Sequence, residues 1–321
     1  MIKKGIWLAY ETTKEQMDRI KQLAPNYELI KGWDKKEELD FPLENIEIIY
    51  GWKGQRSKEL LANQKNDLKW IQGQAAGVDF LDLEGLKKKN VVLTNGSGIH
   101  SIPIAESVFG MLLTYTRGIQ EAIRNQQKST WNQTESLIEL HGKTIMIVGT
   151  GKIGKEIGRM AKAFNMKTIG INSTGHPVDY MDEMYDQKEL IRQVSKADIV
   201  VNILPLTKKT SRFFDDELFD SFKYKTLFLN VGRGPSVDVP SLIRALNNGK
   251  VAFAGLDVFE QEPLEKDSPL WVRDDVLITP HISGIAEGFK KRLFVLFEEN
   301  LKAYMQNKLL PVNVVDYEKK Y

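Results

Sequence analysis

The 321-residue chain contains no cysteine and only four histidines, His100, His141, His176 and His281. Without thiols there is no disulfide and no thiolate-bound metal. The histidines never fall at the close spacing of paired ligands, so no metal site is expected. Charge of one sign is equally lacking: 45 basic side chains face 43 acidic ones, leaving a net charge of +2 and no long basic block. That argues against a nucleic-acid partner held by bulk charge. No apolar run approaches the roughly 18 residues that a membrane span needs. The opening stretch "MIKKGIWLAYETTKEQ" returns to charge after a brief apolar run, unlike a secretory leader. The expectation is a soluble cytoplasmic protein with no membrane and no nucleic-acid partner.

What is present is alternation. The length exceeds what one small core serves, so two domains are the default. "GIWLAY", "IEIIYGW", "LKWIQGQ" and "NVVLTN" read as strands, and "TKEQMDRIKQLA" between them carries helical spacing of its apolar residues. Residues 101–128 contain few breakers and read as one long helix, with Pro103 in the first turn, where proline is tolerated. The alternation then restarts with strands "TIMIVG", "KTIGIN", "DIVVNIL", "TLFLNVG", "VAFAGLDV" and "VLITP". Helix-like segments separate them, and Asn165 and Gly249 stand where a left-handed residue ends a helix. Strands parted by helices predict βαβ units and parallel sheets. The tail from 288 places Phe289, Leu293, Leu296, Phe297, Leu301 and Tyr304 on one apolar stripe.

Within the second alternation, "VGTGKIG" sets Gly149, Gly151 and Gly154 in G-x-G-x-x-G spacing, after a strand and at the opening of a helix. In that context Gly149 permits the tight turn, Gly151 lets a pyrophosphate reach the backbone, and Gly154 lets helix and strand pack closely. The helix N-terminus adds unpaired N–H groups and the positive end of its dipole. Lys152 and Ile153 belong to the same candidate site. A ribose-binding acid is expected about 20 residues on. Asn172, followed by Ser173 and Thr174, stands there instead. Neutral groups remove the repulsion toward a 2′-phosphate, which favours NADP slightly over NAD. No arginine stands in that window to attract the phosphate, so a permissive NAD site is the alternative.

Three further strand ends carry polar residues. "FLNVGRGPSVD" presents Arg233, "AGLDVFEQEPL" presents Asp257 and Glu262, and "VLITPHISG" presents His281. In open α/β sheets ligands bind beyond the carboxyl ends of strands, so these groups gather on the edge that also holds the glycine loop.

The phrases "NVGRGPSVD", "AGLDVFEQEP" and "TPHISG", with "LKWIQGQAAGVD", "IPIAE", "GTGKIG" and "ILPLTKKT", resemble the signatures of the D-isomer-specific 2-hydroxyacid dehydrogenases in order and spacing. The resemblance spans nearly the whole chain, and it implies the following. The fold is α/β, with two Rossmann-like, doubly wound parallel-sheet domains and a cleft between them. Residues 1–98 with 287–321 form a flavodoxin-like substrate domain, and residues 99–286 form the dinucleotide-binding domain. His281 is the acid–base group, Glu262 orients its imidazole and favours its protonated form, and Arg233 grips the 2-keto acid. Ala76 and Gly77 hold the substrate carboxylate through backbone amides. Asp257 faces the nicotinamide, and Leu204, Pro205, Thr210, Val231 and Gly232 line the cofactor's path. Trp52 and Lys53, in a loop of the first domain, are candidate substrate contacts, with a solvated loop carrying one packed tryptophan as the alternative. The implied activity is NAD(P)H-dependent reduction of a small 2-keto acid of the glyoxylate or hydroxypyruvate class to the D-2-hydroxy acid, in a homodimer. A dinucleotide-binding sensor without turnover, and a phosphite or formate dehydrogenase of the same fold, are the competing expectations.

Overall fold

The computed structural model describes residues 3–33, 41–52, 59–60, 62, 66–75, 77–78, 81–133 and 137–318. The chain divides into two compact units, Met1–Ile99 with Glu287–Tyr321, and His100–Ala286.

The first unit is built on β1 (Lys4–Leu8), β2 (Tyr27–Lys31), β3 (Ile46–Tyr50), β4 (Trp70–Gln72) and β5 (Val92–Thr94), with helices α1 (Lys14–Leu23) and α2 (Leu83–Lys88) between strands. The strand order is β2-β1-β3-β4-β5. Every neighbouring pair is parallel. This is the flavodoxin-like winding. A parallel sheet covered on both faces requires continuous apolar strands rather than alternating ones, and "IEIIY" is buried along its whole length. Helix α1 starts where Thr13 and Gln16 exchange side-chain and backbone hydrogen bonds in a capping box.

The apolar stripe of the last helix, Phe289–Met305, returns to this unit. Its Phe297 ring lies 4.4 Å from the Tyr50 ring and 5.1 Å from that of Trp70. Burying one such ring stabilises by about 1.5–3 kcal/mol. One charge interrupts this core. Glu47 is 4% exposed, and it is bound by the Lys4 ammonium and the hydroxyls of Tyr27 and Tyr304. Burial alone would raise its carboxyl; these partners outweigh burial and hold it below the usual carboxylate range.

The second unit begins with α3 (Ser101–Thr116) and α4 (Ile119–Gln127). The expected single helix over 101–128 is therefore two. Gly118 sits in the left-handed region at φ 66°, its N–H donates to the carbonyl of Tyr115, and the chain turns before α4. The unit continues through β6 (Thr144–Val148), α5 (Lys152–Ala163), β7 (Lys167–Asn172), β8 (Glu183–Asp186), α6 (Leu190–Gln193) and β9 (Ile199–Asn202). It ends with α7 (Asp216–Asp220), β10 (Thr226–Asn230), α8 (Val239–Asn247), β11 (Val251–Leu256) and β12 (Val276–Ile278). The sheet order is β12-β11-β10-β9-β6-β7-β8. All its pairs are parallel. The winding reverses between β6 and β9, which creates the crevice typical of dinucleotide folds at the strands' carboxyl ends.

Asn165 and Gly249 are left-handed, as their positions after helices predicted. Strand β8, "EMYD", has no apolar alternation because it is a polar edge paired only with β7. Among the described residues, no helix is long and apolar enough to cross a membrane. Nor do three or more histidine or acidic side chains there gather as they would around a metal ion.

Candidate active site

The three glycines of the β6–α5 loop meet three different surroundings. Gly149 is left-handed at φ 108°, and a Cβ there would lie 2.9 Å from the carbonyl oxygen of Ile203. A Cβ on Gly154 would fall 2.3 Å from the carbonyl oxygen of Gly149, so helix α5 can approach the strand only as glycine. A Cβ on Gly151 would meet nothing within 4 Å. Gly151 is also the N-cap of α5, and no side chain caps it. The loop is thus closed by Gly149 and Gly154 and open at Gly151, facing the positive end of a helix of 12 residues. An anionic pyrophosphate fits this cradle.

Asn172 ends β7 beside this loop. Its Nδ2 donates to Oγ1 of Thr150 at 3.1 Å and to the carbonyl of His176 at 3.0 Å. Its Oδ1 accepts the N–H groups of Thr174 at 3.1 Å and Gly175 at 2.6 Å. The asparagine therefore shapes the turn through the left-handed Gly175. The exposed groups of that turn are Ser173, Thr174 and His176. Oγ1 of Thr174 lies 2.9 Å from Nδ1 of His176.

The next strand ends meet in a buried polar network. Asn202 and Asn230 stand side by side as the last residues of β9 and β10. Nδ2 of Asn202 donates to Oδ1 of Asn230 at 3.0 Å and to Oγ of Ser236 at 2.7 Å. Oδ1 of Asn202 accepts the N–H of Leu204, and Oδ1 of Asn230 accepts that of Gly232. The Arg233 carbonyl accepts from Oγ of Ser236 at 2.5 Å and from Nδ2 of Asn230 at 3.3 Å. The backbone that carries the Arg233 guanidinium is held from two sides, while the side chain itself is half-buried and donates to the Gly232 carbonyl at 2.8 Å. Val231 and Gly232 are buried in this turn. Pro205 is exposed, whereas Thr210 is buried and donates from Oγ1 to the Pro205 carbonyl at 2.6 Å. Thr210 braces the 205–210 loop.

The segment after β11 touches both remaining strand ends. A Cβ on Gly234 would lie 1.9 Å from the carbonyl carbon and oxygen of Phe259, so the Arg233 turn is seated directly on this segment. The N–H of Phe259 donates to Oε1 of Glu262 at 3.0 Å. Oε2 of Glu262 lies 2.7 Å from Nδ1 of His281. A carboxylate only accepts, so this contact places the Nδ1 proton toward Glu262 and directs Nε2 away from it. His281 and Glu262 are both exposed. Asp257, expected to face the nicotinamide, is fully buried, and its carboxylate accepts hydrogen bonds from Thr279, Ile282 and Ser283.

In the first unit, Trp52 is half-buried and packs on the sheet core. Its N–H donates to Oε1 of Gln74 at 3.1 Å. Gly77 is half-buried. Ala76 and Lys53 lie outside the described residues. Sequence reasoning missed Asn202, Asn230, Ser236 and Phe259. A signal existed for the two asparagines: each closes an apolar strand, and an amide at that point in adjacent strands marks the functional edge.

A family model described as the NAD-binding domain of the D-isomer specific 2-hydroxyacid dehydrogenases matches residues 109–283. A glyoxylate reductase of Thermofilum pendens is 32% identical over 254 residues, 77% of this chain and 75% of the relative. A D-isomer specific 2-hydroxyacid dehydrogenase family protein from Aeromonas salmonicida has a similar structure, with a TM-score of 0.81, 31% identity and coverage of 98% of this chain and 99% of that one. So does an NADPH-dependent glyoxylate/hydroxypyruvate reductase from Sinorhizobium meliloti, solved with NADP and sulfate, at a TM-score of 0.80, 27% identity and coverage of 99% and 100%. The chain belongs to the D-isomer-specific 2-hydroxyacid dehydrogenases and is an NAD(P)-dependent oxidoreductase.

Proposed function

We propose that the chain reduces a small 2-keto acid, of the glyoxylate or hydroxypyruvate class, to the D-2-hydroxy acid, with NADPH favoured slightly over NADH. The observation that carries this reading is the 2.7 Å contact between His281 and Glu262 on the same segment that seats the Arg233 turn. The reduced nicotinamide supplies a hydride to C2 of the keto acid when bound. Gly149, Gly151 and Gly154 accept the pyrophosphate at the α5 N-terminus. Arg233 offers a planar pair of donors to the substrate carboxylate and keto oxygen, and stabilises the negative charge that develops there. His281, held by Glu262 at Nδ1, donates the proton from Nε2 to that oxygen. Trp52 and Gly77, on loops that follow β3 and β4, are proposed substrate contacts, as is Ala76.

A sensor without turnover needs neither a histidine–carboxylate pair nor an arginine seated beside it. The preference for NADP follows from the neutral Asn172 turn, which lacks the acid that repels a 2′-phosphate. A homodimer is also proposed. Ile119 and Ile123 of α4 are 43% and 51% exposed, and Trp131 is 93% exposed, an apolar surface that a second copy would cover. Light scattering at one subunit's mass would reject it.

The site assignment is tested by His281→Ala and Arg233→Ala. Each should lower kcat with glyoxylate by on the order of 10²–10⁴ while the NADPH Kd stays within about twofold. Parallel loss of cofactor binding and turnover would contradict these roles.

A further inference from the structure

The loops that leave three neighbouring strands of the first sheet, β1, β3 and β4, carry Tyr10, Trp52 and Gln74. The Tyr10 hydroxyl donates to Oε1 of Gln74. The backbone N–H of Trp52 donates to the same oxygen at 3.1 Å. A backbone N–H can only donate, so the amide oxygen must face it, and Nε2 is turned the other way. Burial pushes the Tyr10 phenol up to about 12 against the opposing pull of the Gln74 contact, so the tyrosine stays a donor through the neutral range. Among the described residues, Nε2 of Gln74 meets no acceptor.

The surroundings fix this orientation. Gly51 is left-handed at φ 84°, and a Cβ there would lie 2.4 Å from the Tyr10 ring. Phe289 meets the same ring edge-on, with centroids 6.4 Å apart. The ring is confined between them. Behind Gln74, a Cβ on Gly96 would fall 2.1 Å from the Gln74 carbonyl oxygen, and the Gly96 N–H donates to the Ala75 carbonyl at 2.9 Å. Gln74 is half-buried and stands three positions before Gly77. Its two amide N–H donors are thus held in place at the carboxyl edge of a parallel sheet, where α/β folds bind their ligands.

We infer that Gln74 is a specificity-determining residue: its Nε2 donates to an oxygen on C3 of the keto acid and so selects hydroxypyruvate over pyruvate. The inference rests on the reading of the chain as a 2-keto acid reductase. Tyr10, Trp52 and Gln74 carry no charge, so the group they are suited to receive is a neutral hydroxyl. The charged end of the substrate has Arg233 and backbone amides instead. Pyruvate sets a methyl group where the hydroxyl would be and leaves the amide N–H unpaired away from water. That disfavours it by on the order of 10–100-fold. Tyr10 acts through Gln74, as its positioning residue.

The test measures kcat/KM for hydroxypyruvate and for pyruvate on the full chain with saturating NADPH. The two acids share charge, carboxylate and keto group, so their ratio isolates the C3 hydroxyl. Wild type should favour hydroxypyruvate by on the order of 10–100-fold. Gln74→Met, close in length and without an amide, should lower that ratio about tenfold. A merely structural role would lower both acids alike; an unmoved ratio in Gln74→Met overturns the inference. Equal KM rises for both acids overturn it too, in favour of a carboxylate contact. If Gln74→Met does not fold, Tyr10→Phe keeps the ring between Gly51 and Phe289 and removes one of the two donors that orient the amide. The ratio should then fall about threefold, and an unmoved ratio overturns the inference equally. Two further outcomes separate this claim from the one beneath it. Wild type that reduces hydroxypyruvate and pyruvate equally well removes the selector role alone. Wild type that reduces neither of them, nor glyoxylate, overturns the reductase reading and the inference with it.

Discussion

Gly234 rests on the backbone of Phe259 so tightly that a Cβ would lie 1.9 Å from its carbonyl carbon and oxygen. The N–H of the same Phe259 orients Glu262, whose other oxygen meets His281. A methyl group at 234 therefore displaces the arginine turn and the histidine's partner together. Gly234→Ala should cost about 1–3 kcal/mol, lowering Tm on the order of 5 °C, and should lower kcat beyond what the stability loss explains. Thermal melts beside initial rates at a temperature well below the transition check this.

The glycine loop separates folding from binding. Gly154→Ala drives a methyl into the Gly149 carbonyl, 2.3 Å away, and should destabilise the unit. Gly151→Ala meets nothing within 4 Å and should leave Tm unchanged. It nevertheless places the methyl where phosphate must approach, so the NADPH Kd should rise by on the order of tenfold or more. Equal Tm losses in both variants would contradict the assignment.

Asn172→Asp keeps the acceptor for Thr174 and Gly175 and loses the donor to the His176 carbonyl, at 3.0 Å in the native turn. It also restores the negative charge that disfavours a 2′-phosphate. The ratio of kcat/KM for NADPH over NADH should fall by on the order of tenfold. An unchanged ratio would show that the asparagine acts on the turn alone.

Glu47 gives the pH prediction. Its folded carboxyl is held below the usual range, where the unfolded value is about 4.3. A depressed folded value means the contribution is present above the unfolded value and is lost as pH falls through the folded one. Glu47→Gln, which weakens the contacts to Lys4, Tyr27 and Tyr304, should cost about 1–3 kcal/mol at pH 7. That difference should shrink on acidification below pH ~4. Urea melts at both pH values report it.

Much of this architecture is legible in the chain because its signals are local. Buried parallel strands write themselves as runs such as "IEIIY" and "TIMIV", and G-x-G-x-x-G binds three steric demands to one spacing. Arg233, Glu262 and His281 were legible because each follows an apolar strand. The break at Gly118 was not, since one glycine in a helical pattern reads as tolerated until its left-handed φ is seen. The engagement of Asp257 and the shared network of Asn202 and Asn230 depend on residues from different strand ends. Such meetings follow from strand order, which no single segment records. The residue types announced that the edge is polar; only the fold shows which carboxylate faces the histidine and which is spent on the backbone.

Initial rates of the wild-type chain with glyoxylate and hydroxypyruvate, each with NADPH and NADH at equal concentration, test the proposed keto-acid reduction directly. Cofactor oxidation that depends on the keto acid is expected, with NADPH modestly ahead. Absence of turnover with both acids and both cofactors would contradict it.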